Sequence, residues 1–276
     1  MSGLHEESGG RRGDAMSSAH LPALHDERRA VLDFCRDLSA ADLGAPSAAA
    51  GWSVADVLIH MTTVLRAILT PTAAAYMTTR DVERLNERLV DEKRSHTTKQ
   101  LPGEFETWSR RGIAALTVLT MPGLNAIRIP YGELGWYPLE LAPAMLVYEW
   151  HTHVRHDIAP ALDRPTPPTD ARRMTSILRW LTTLLEHSHR EALSWLDTSV
   201  ALTLTGPGGG TWRLEPRGGR LRVRPGRAAG ATAHIAAMSV EFPQWSTRRL
   251  PWRACAVAVT GDTEIGTRVL DSINLV

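Results

Sequence analysis

Apolar residues recur with helical spacing through most of the first 198 residues. In residues 20–43, Leu24, Val31, Leu32 and Cys35 lie close to a 3.6-residue period. The same period continues in five later segments, which are residues 53–69, 79–94, 102–121, 139–162 and 170–196. Long helices joined by modest loops are typical of an up-and-down bundle. The pattern therefore predicts a helical domain over residues 20–198, with a loop at "RIPYGELGWYP".

The hydrophobic pattern changes at about residue 199. Residues 200–206 alternate between apolar and polar side chains, "PGGG" is typical of a turn, and "TWRLEPRGGRLRVRP" predicts one or two hairpins. Further strands are predicted at "ATAHIAAM" and "CAVAVTG", and helices at residues 239–249 and 262–275. We therefore predict a small α+β domain over residues 199–276, in which helices pack on a sheet.

The first 19 residues are rich in glycine, serine and charge, and they predict a disordered tail. They contain no apolar stretch of the kind found in signal peptides, and no run in the chain approaches the roughly 18 apolar residues of a membrane span. Cys35 and Cys255 have no metal-ligand or disulfide-motif spacing, so we expect both to be small buried side chains. These features favour a cytoplasmic protein.

Composition and charge narrow the possible partners. Hydrophobic residues make up 43% of the chain, which is enough for a substantial core. The net charge is +1, with 31 basic and 30 acidic residues, so there is no electrostatic case for nucleic acid or an anionic membrane as a partner. We expect a small-molecule ligand instead.

One histidine on the second predicted helix is not needed by the local pattern. Ser53 and Asp56 form a capping box that starts this helix, and His60 then falls on its apolar face. Farther along the chain, Glu149 and His153 are four residues apart, so they share one face of a helix. Zinc binds a carboxylate together with imidazoles, and three protein ligands leave a fourth position open. These three residues are therefore candidate metal ligands, and Asp157 is a candidate acceptor for a histidine N–H.

A structural alternative explains the same residues without a metal. Glu149 follows the apolar run "LAPAMLVY", where an unpaired carboxylate is costly, so it requires a neutralising partner. That partner is either a metal or an arginine such as Arg155, in which case His60 is a satisfied core histidine. His187 and Glu191 have the same spacing but lie in a charged polar turn, which is typical of a solvated face.

Other motifs offer weaker chemistry. "GPGGG" lacks the lysine and the following helix of a phosphate-binding loop, and it predicts a hairpin turn. Ser53 and Ser188 lack the flanking glycines of a nucleophile elbow. His151 and His156 flank the candidate ligands and are interpreted as exposed neighbours or supporting groups, whereas His234 is interpreted as a packing residue.

Taken together in chain order, the two histidine-containing segments resemble a known family. A tryptophan followed by Ser-Val-x-Asp-Val-x-x-His, and then about ninety residues later Glu-x-x-x-His with Asp-Ile, is similar to the mycothiol-dependent maleylpyruvate isomerase family of the DinB-like metalloenzyme superfamily. The matching residues are Trp52, Ser53, Val54, Asp56, Val57, His60, Glu149, His153, Asp157 and Ile158. The segments "LTLTGPGGGTWRL", "TRRLPW" and "VTGDTEIGTRVLDSIN" resemble the family's sterol-carrier-like C-terminal domain.

The resemblance implies a two-domain protein of α plus α+β class. Its N-terminal domain is expected to be a DinB-like four-helix bundle, with Zn²⁺ on His60, Glu149 and His153. The thiol cofactor implied is mycothiol, a low-molecular-weight thiol of actinobacteria, which zinc would activate for isomerisation or S-transfer on a small electrophile. The resemblance also implies that Arg249 of "TRRLPW" faces the site and binds a substrate carboxylate.

The sequence departs from the family pattern at one place, and it is also compatible with two other functions. The family usually has His-x-x-Asp after its second histidine ligand, whereas "HVRHD" contains one more residue. A non-catalytic protein that binds a small molecule or lipid, and a metal-dependent hydrolase that uses zinc-bound water, are the alternatives to the thiol enzyme. The sequence says little about the oligomeric state.

Overall fold

The computed structural model describes residues 7–94, 100–189 and 191–275. The chain divides into two compact units, Met1–Pro168 and Thr169–Val276. The first is helical and the second contains a five-stranded sheet, which confirms the predicted helical N-terminal region and α+β C-terminal region.

The first unit contains seven α-helices within the described residues, and the four longest belong to predicted segments. The helices are α1 (Glu7–Cys35), α2 (Ala40–Gly44), α3 (Val54–Ala67), α4 (Thr72–Thr78), α5 (Val82–Asp91), α6 (Leu101–Leu119) and α7 (Ala142–Thr152). A π-helix, His153–Ile158, continues α7 directly. Helix α1 packs against α6 and α7, and α3 packs against α6. The two helices α3 and α6 approach closely at Gly112, where a Cβ atom would lie 3.1 Å from Cδ2 of Leu65.

In two segments of this unit the structure differs from the expectation. Helix α1 begins at Glu7, inside the segment 1–19 that we expected to be disordered, whereas residues 1–6 lie outside the described residues. Buried residues such as Leu24 anchor this helix. Each residue added to its N-terminal end then gains a backbone hydrogen bond, so the helix extends into a segment whose composition alone does not favour it. The predicted loop at 128–138 contains a hairpin of β1 (Arg128–Pro130) and β2 (Trp136–Pro138). Gly132 and Gly135 supply the positive φ angles of its turn.

In the second unit, α8 (Ala171–Ser188) precedes a five-stranded sheet with the order β5-β4-β3-β6-β7. The strands are β3 (Val200–Thr205), β4 (Gly210–Arg217), β5 (Arg220–Pro225), β6 (Ala233–Met238) and β7 (Ala258–Gly261). Neighbouring strands are antiparallel except for β3 and β6, which are parallel. The short helix α9 (Phe242–Ser246) and α10 (Thr263–Ser272) follow β6 and β7 respectively. "GPGGG" connects β3 to β4, as predicted for a turn.

The second unit includes α8 and so begins before the predicted domain boundary at 198/199. Glu186 of α8 accepts hydrogen bonds from the guanidinium of Arg222 and from the backbone N–H of Val223, each at 2.9 Å. An amphipathic helix has the same period whichever partner covers its apolar face, so periodicity alone does not decide to which unit α8 belongs.

Within the described ranges, no single helix combines the length and apolar character needed to cross a bilayer. Helices α3 and α4 reach that length and composition only together, and they meet at an angle of 96°.

Candidate metal centre

The capping box at the start of α3 determines which way His60 points. Ser53 accepts a hydrogen bond from the backbone N–H of Asp56, and the Asp56 carboxylate accepts one from the backbone N–H of Ser53. This confirms the predicted helix start and fixes the rotational phase of α3. His60, two turns later, is only 6% exposed. It therefore points into the helical unit, as the apolar pattern predicted.

The other two candidate ligands lie where α7 gives way to the π-helix. Glu149 is in the last turn of α7, and His153 is the first residue of the π-helix. The i→i+5 hydrogen bond from the backbone N–H of Ala159 to the carbonyl of Val154 is 2.9 Å long. Turns of π-helix inside α-helices are frequent at functional sites.

The structure brings the three side chains together around one carboxylate oxygen. Oε2 of Glu149 lies 3.4 Å from Nε2 of His60 and 3.2 Å from Nε2 of His153. One ligand atom from each residue falls within 4.8 Å of the others. Tetrahedral ligands with bonds of about 2.05 Å are separated by about 3.3 Å, so these spacings fit a single zinc ion. Sets of two histidines and one glutamate occur in catalytic zinc sites.

The electrostatics of the cluster favour an ionised carboxylate. Burial by itself raises the pKa of Glu149, but hydrogen bonds and charge interactions with His153 and His60 lower it well below its usual range. Burial lowers the pKa of His153, but hydrogen bonds to Asp157 and Glu149 outweigh this effect and raise the pKa from 6.5 to about 9. Positive charge is therefore stabilised at this point, whether a proton or a metal cation supplies it.

Asp157 lies beside His153 despite the additional residue in "HVRHD". Its Oδ2 is 2.7 Å from Nδ1 of His153, and the side chain of Asp157 is 3% exposed. The intervening residues form the π-helix, whose wider turn includes one more residue than an α-turn. In addition, the backbone carbonyl of Asp157 accepts a hydrogen bond of 2.9 Å from the N–H of Ala48, in the loop before α3. The π-helix thus connects both ligand-bearing segments.

The alternative pairing of Glu149 with Arg155 is not found among the described residues. The guanidinium of Arg155 contacts Oε1 of Glu27 on α1 at 2.5 Å, and both side chains are almost fully buried. His60 and His153 are instead the partners of Glu149. His187 and Glu191, which have the same spacing in the sequence, do not share one helix, because α8 ends between them at Ser188.

The structure gives the contacts and burial of several other predicted residues. Arg249 is in the second unit, where its guanidinium donates a 3.1 Å hydrogen bond to Oγ1 of Thr247. His151 was expected to be an exposed or supporting residue, but it is 2% exposed and its ring contacts that of His156. The apolar pattern of α7 continues through this position. Cys35 is buried as expected, whereas Cys255 is only partly buried, and both are free thiols.

Sequence reasoning missed two aromatic residues near the cluster. The ring centroids of Trp52 and His60 lie 5.2 Å apart. The family pattern included Trp52, but it did not indicate that this side chain contacts His60. The hydroxyl of Tyr76 donates a 2.9 Å hydrogen bond to Oδ1 of Asn86. Burial raises the pKa of Tyr76 above its usual value, and the negative charges of Glu149 and Glu83 add to this effect. Tyr76 is therefore a neutral phenol close to the cluster, a position that no sequence motif indicated.

Comparisons with known proteins identify a similar fold and a similar N-terminal domain. No curated protein matches the chain. The fold is similar to the crystal structure of the mycothiol-dependent maleylpyruvate isomerase, with a TM-score of 0.58 and 14% sequence identity over 88% of this chain and 92% of that chain. A histidine-to-alanine mutant of that enzyme matches with a TM-score of 0.57 and the same identity and coverage. At this identity the likeness shows the fold.

A family model assigns the first unit more specifically. Residues 24–119, which include α3 and His60, match the mycothiol maleylpyruvate isomerase N-terminal domain. This range also contains Trp52 and the capping box, which contributed to the resemblance found in the sequence. Within this chain, residues 24–119 are therefore similar to the N-terminal domain of the mycothiol maleylpyruvate isomerase family.

Proposed function

We propose that this protein is a zinc-dependent enzyme that uses mycothiol, or a similar low-molecular-weight thiol, to isomerise a small electrophile. S-transfer to such an electrophile is the related reaction of the same site. The family match and the similarity to the solved isomerase support the use of a thiol and a small substrate. The proposal includes a DinB-like four-helix bundle for α1, α3, α6 and α7, and a sterol-carrier-like fold for the second unit.

The observation that carries the proposal is the convergence of two imidazoles on one carboxylate oxygen. Nε2 of His60 and Nε2 of His153 both face Oε2 of Glu149, at 3.4 and 3.2 Å. Two imidazoles buried against a carboxylate match the donor preference of zinc, and their spacing matches its bond lengths. We assign these three residues as the ligands that would hold the metal.

Zinc at this site would supply a Lewis acid that lowers the pKa of a bound thiol, so that thiolate is available near neutral pH. His60, Glu149 and His153 would hold the metal as three protein ligands, and a fourth position would be available to a thiol. The Glu149 side chain is 27% exposed, whereas those of His60 and His153 are 7% and 10% exposed. Glu149 is therefore the most solvent-accessible of the three candidate ligands.

Asp157 prepares His153 for this role. With its carboxylate 2.7 Å from Nδ1, Asp157 holds the proton on that nitrogen and leaves the lone pair of Nε2 directed at the cluster. The negative charge of Asp157 also makes the imidazole a stronger donor. Since Asp157 is buried in the π-helix, its position is fixed by backbone geometry and not by solvent.

A thiolate can carry out either reaction, by addition and elimination or by substitution. In isomerisation, it adds to a conjugated double bond, the resulting single bond rotates, and the carbon–sulfur bond breaks to regenerate the thiolate and release the isomer. In S-transfer, it displaces a leaving group and remains bonded to carbon. The chemical nature of the electrophile selects between the two outcomes.

The test combines metal content with thiol-dependent turnover. Protein purified without added zinc is analysed for metal, and is then incubated with mycothiol and either maleylpyruvate or a bimane electrophile. We expect about one zinc per chain, and an isomer or thioether only when thiol is present. The variants His60→Ala and His153→Ala lose the metal and the activity, whereas His25→Ala, an exposed histidine on α1, retains both.

Other results contradict the proposal and indicate the alternatives. Wild-type protein without metal, and without thiol-dependent product, favours the small-molecule or lipid-binding protein. Zinc together with cleavage of esters or amides in the absence of thiol favours the hydrolase. A circular-dichroism spectrum for each alanine variant separates loss of metal from loss of folding.

A further inference from the structure

The two candidate histidine ligands are oriented in different ways. Nδ1 of His153 is hydrogen-bonded to Asp157. Nδ1 of His60 is buried and has no hydrogen-bond partner among the residues that the structure describes. Metal-ligating imidazoles are almost always oriented by a hydrogen bond on the nitrogen that does not face the metal. The orientation of His60 therefore depends on something else.

Ring packing replaces the missing hydrogen bond. The indole of Trp52 packs on the imidazole of His60 with 5.2 Å between ring centroids and 52° between planes. The ring of His153 meets the imidazole of His60 edge-on, at 5.1 Å and 80°. An imidazole between two rings at these distances cannot rotate freely about its χ2 angle. Its Nε2 consequently stays directed at Glu149.

Trp52 is itself held by a partner on another helix. Its indole N–H donates a 2.7 Å hydrogen bond to Oε2 of Glu87, which belongs to α5. The other carboxylate oxygen of Glu87 faces the guanidinium of Arg94 at 3.5 Å. Arg94 also donates a 3.1 Å hydrogen bond to the carboxylate of Asp56. Since Asp56 caps α3, these contacts connect Trp52, through Glu87 and Arg94, to the first turn of the helix that carries His60.

We infer that Trp52 and Glu87 are positioning residues for His60. The inference rests on the proposed function, since it assigns His60 as a ligand. The indole side chain of Trp52 orients the imidazole of His60, as Asp157 orients that of His153. The Glu87 carboxylate holds the indole in place through its hydrogen bond. The sequence offers no direct sign of this arrangement, because Glu87 lies on the exposed, charged face of α5.

The first test measures the zinc dissociation constant by competition with a chromophoric chelator. Supporting residues of metal ligands typically contribute 10- to 100-fold to affinity. We expect Trp52→Ala to weaken binding about 10-fold. Trp52→Phe and Glu87→Ala each remove the indole–carboxylate hydrogen bond, so each is expected to weaken binding about 3-fold. The double variant should be no weaker than either single one, because both changes remove the same interaction.

Matched controls come from the same unit. Trp136→Phe changes a tryptophan that is 58% exposed, and Glu92→Ala removes an exposed carboxylate just after α5. Both controls should bind zinc as the wild type does. The inference is overturned if Trp52→Ala binds zinc with an affinity within twofold of wild type. It is also overturned if Trp52→Phe and Glu87→Ala weaken zinc binding in a fully additive way in the double variant.

The second test needs no metal. In metal-free protein with ¹³C-labelled histidine, the ring signal of His60 is assigned by its loss in His60→Asn. The indole ring current should shift this signal, and the shift should disappear in Trp52→Ala and decrease in Glu87→Ala, while Trp136→Phe leaves it unchanged. An unchanged His60 signal in Trp52→Ala contradicts the inference. Wild-type protein that binds no zinc but shows these shifts refutes the metal assignment alone.

Discussion

Asp157 lies 2.7 Å from Nδ1 of His153, although the two residues are one position farther apart than the family pattern predicts. The π-helix between His153 and Ile158 accommodates the additional residue without moving the carboxylate away from the imidazole. The additional residue therefore lies in a π-helical segment, and Asp157 contacts His153 within it.

The first prediction concerns this contact. Asp157→Asn keeps the size of the side chain but removes its charge, so His153 becomes a weaker and less well-oriented ligand. We expect the zinc dissociation constant to rise about 10-fold, measured by chelator competition. Asp33→Asn, which changes a carboxylate that is 63% exposed on α1, should have no effect. Equal affinities in the two variants would show that Asp157 does not support the site.

The second prediction concerns Arg249, for which the resemblance implies a carboxylate-binding role. Lysine keeps the charge but loses the two-pronged geometry of the guanidinium. Arg249→Lys should raise KM about 10-fold for an electrophile that carries a carboxylate, and leave KM for a neutral electrophile unchanged. Steady-state kinetics with both substrates checks this, and Arg217→Lys, an exposed arginine of β4, serves as the control. An equal loss with both substrates contradicts carboxylate recognition.

The third prediction concerns the buried ion pair of Glu27 with Arg155. Arg155 also donates 3.0 Å hydrogen bonds to the carbonyls of Pro167 and Pro168. Glu27→Gln leaves the guanidinium charge buried without its counter-charge, and the free energy of unfolding should fall by about 3 kcal/mol. Asp33→Asn breaks an exposed pair and should change it by less than about 0.5 kcal/mol. Urea unfolding compares the two variants, and similar values would contradict the expected burial effect.

The fourth prediction concerns two glycines with similar backbone angles and different surroundings. Gly208 has φ +65° and Gly218 has φ +60°, and both lie in turns next to strands. A Cβ atom at Gly208 would lie 2.5 Å from the backbone N of Thr175 in α8, whereas none of the described atoms lies within 4 Å of one at Gly218.

Alanine at these two positions should therefore have unequal effects. Gly218→Ala adds only backbone strain, about 1 kcal/mol. Gly208→Ala adds the same strain together with a clash against α8, and should lower the free energy of unfolding by about 3 kcal/mol or more. Thermal unfolding of the two variants checks the difference. Equal losses would mean that α8 does not pack on the turn.

The fifth prediction is a pH dependence of stability in the second unit. Burial lowers the pKa of His189 from 6.5 to about 4, and the positive charge of Arg248 adds to this effect. His189 is 4% exposed, and its Nε2 accepts a 2.8 Å hydrogen bond from the backbone N–H of Asn274. The neutral imidazole is thus the form that the fold accommodates.

The direction of the effect follows from the two protonation states. As pH falls below 6.5, the unfolded chain binds a proton at His189 and the folded chain does not until about pH 4. The free energy of unfolding should therefore fall by about 2 kcal/mol between pH 6.5 and 4.5. Urea unfolding across this range should show a smaller decline for His189→Gln, whereas the exposed control His25→Gln should follow the wild type.

Much of this protein could be predicted from local patterns. The capping box of Ser53 and Asp56 sets the start and phase of α3, and the spacing of Glu149 and His153 places them on one face, because a helix repeats every 3.6 residues. The change at residue 199 from helical to alternating periodicity predicted the sheet region. Each of these features depends on residues within two or three turns of one another, which is the range over which sequence specifies geometry.

Contacts between distant segments were decided only by the tertiary structure. The sequence left Arg155 open as a partner of Glu149, but Glu27 lies 128 positions away and packing alone brought it to Arg155. The assignment of α8 to the second unit and the contact of Trp52 with Glu87 arose in the same way. An amphipathic helix specifies that its apolar face is covered, but not by which segment, because burial is non-directional and many surfaces satisfy it.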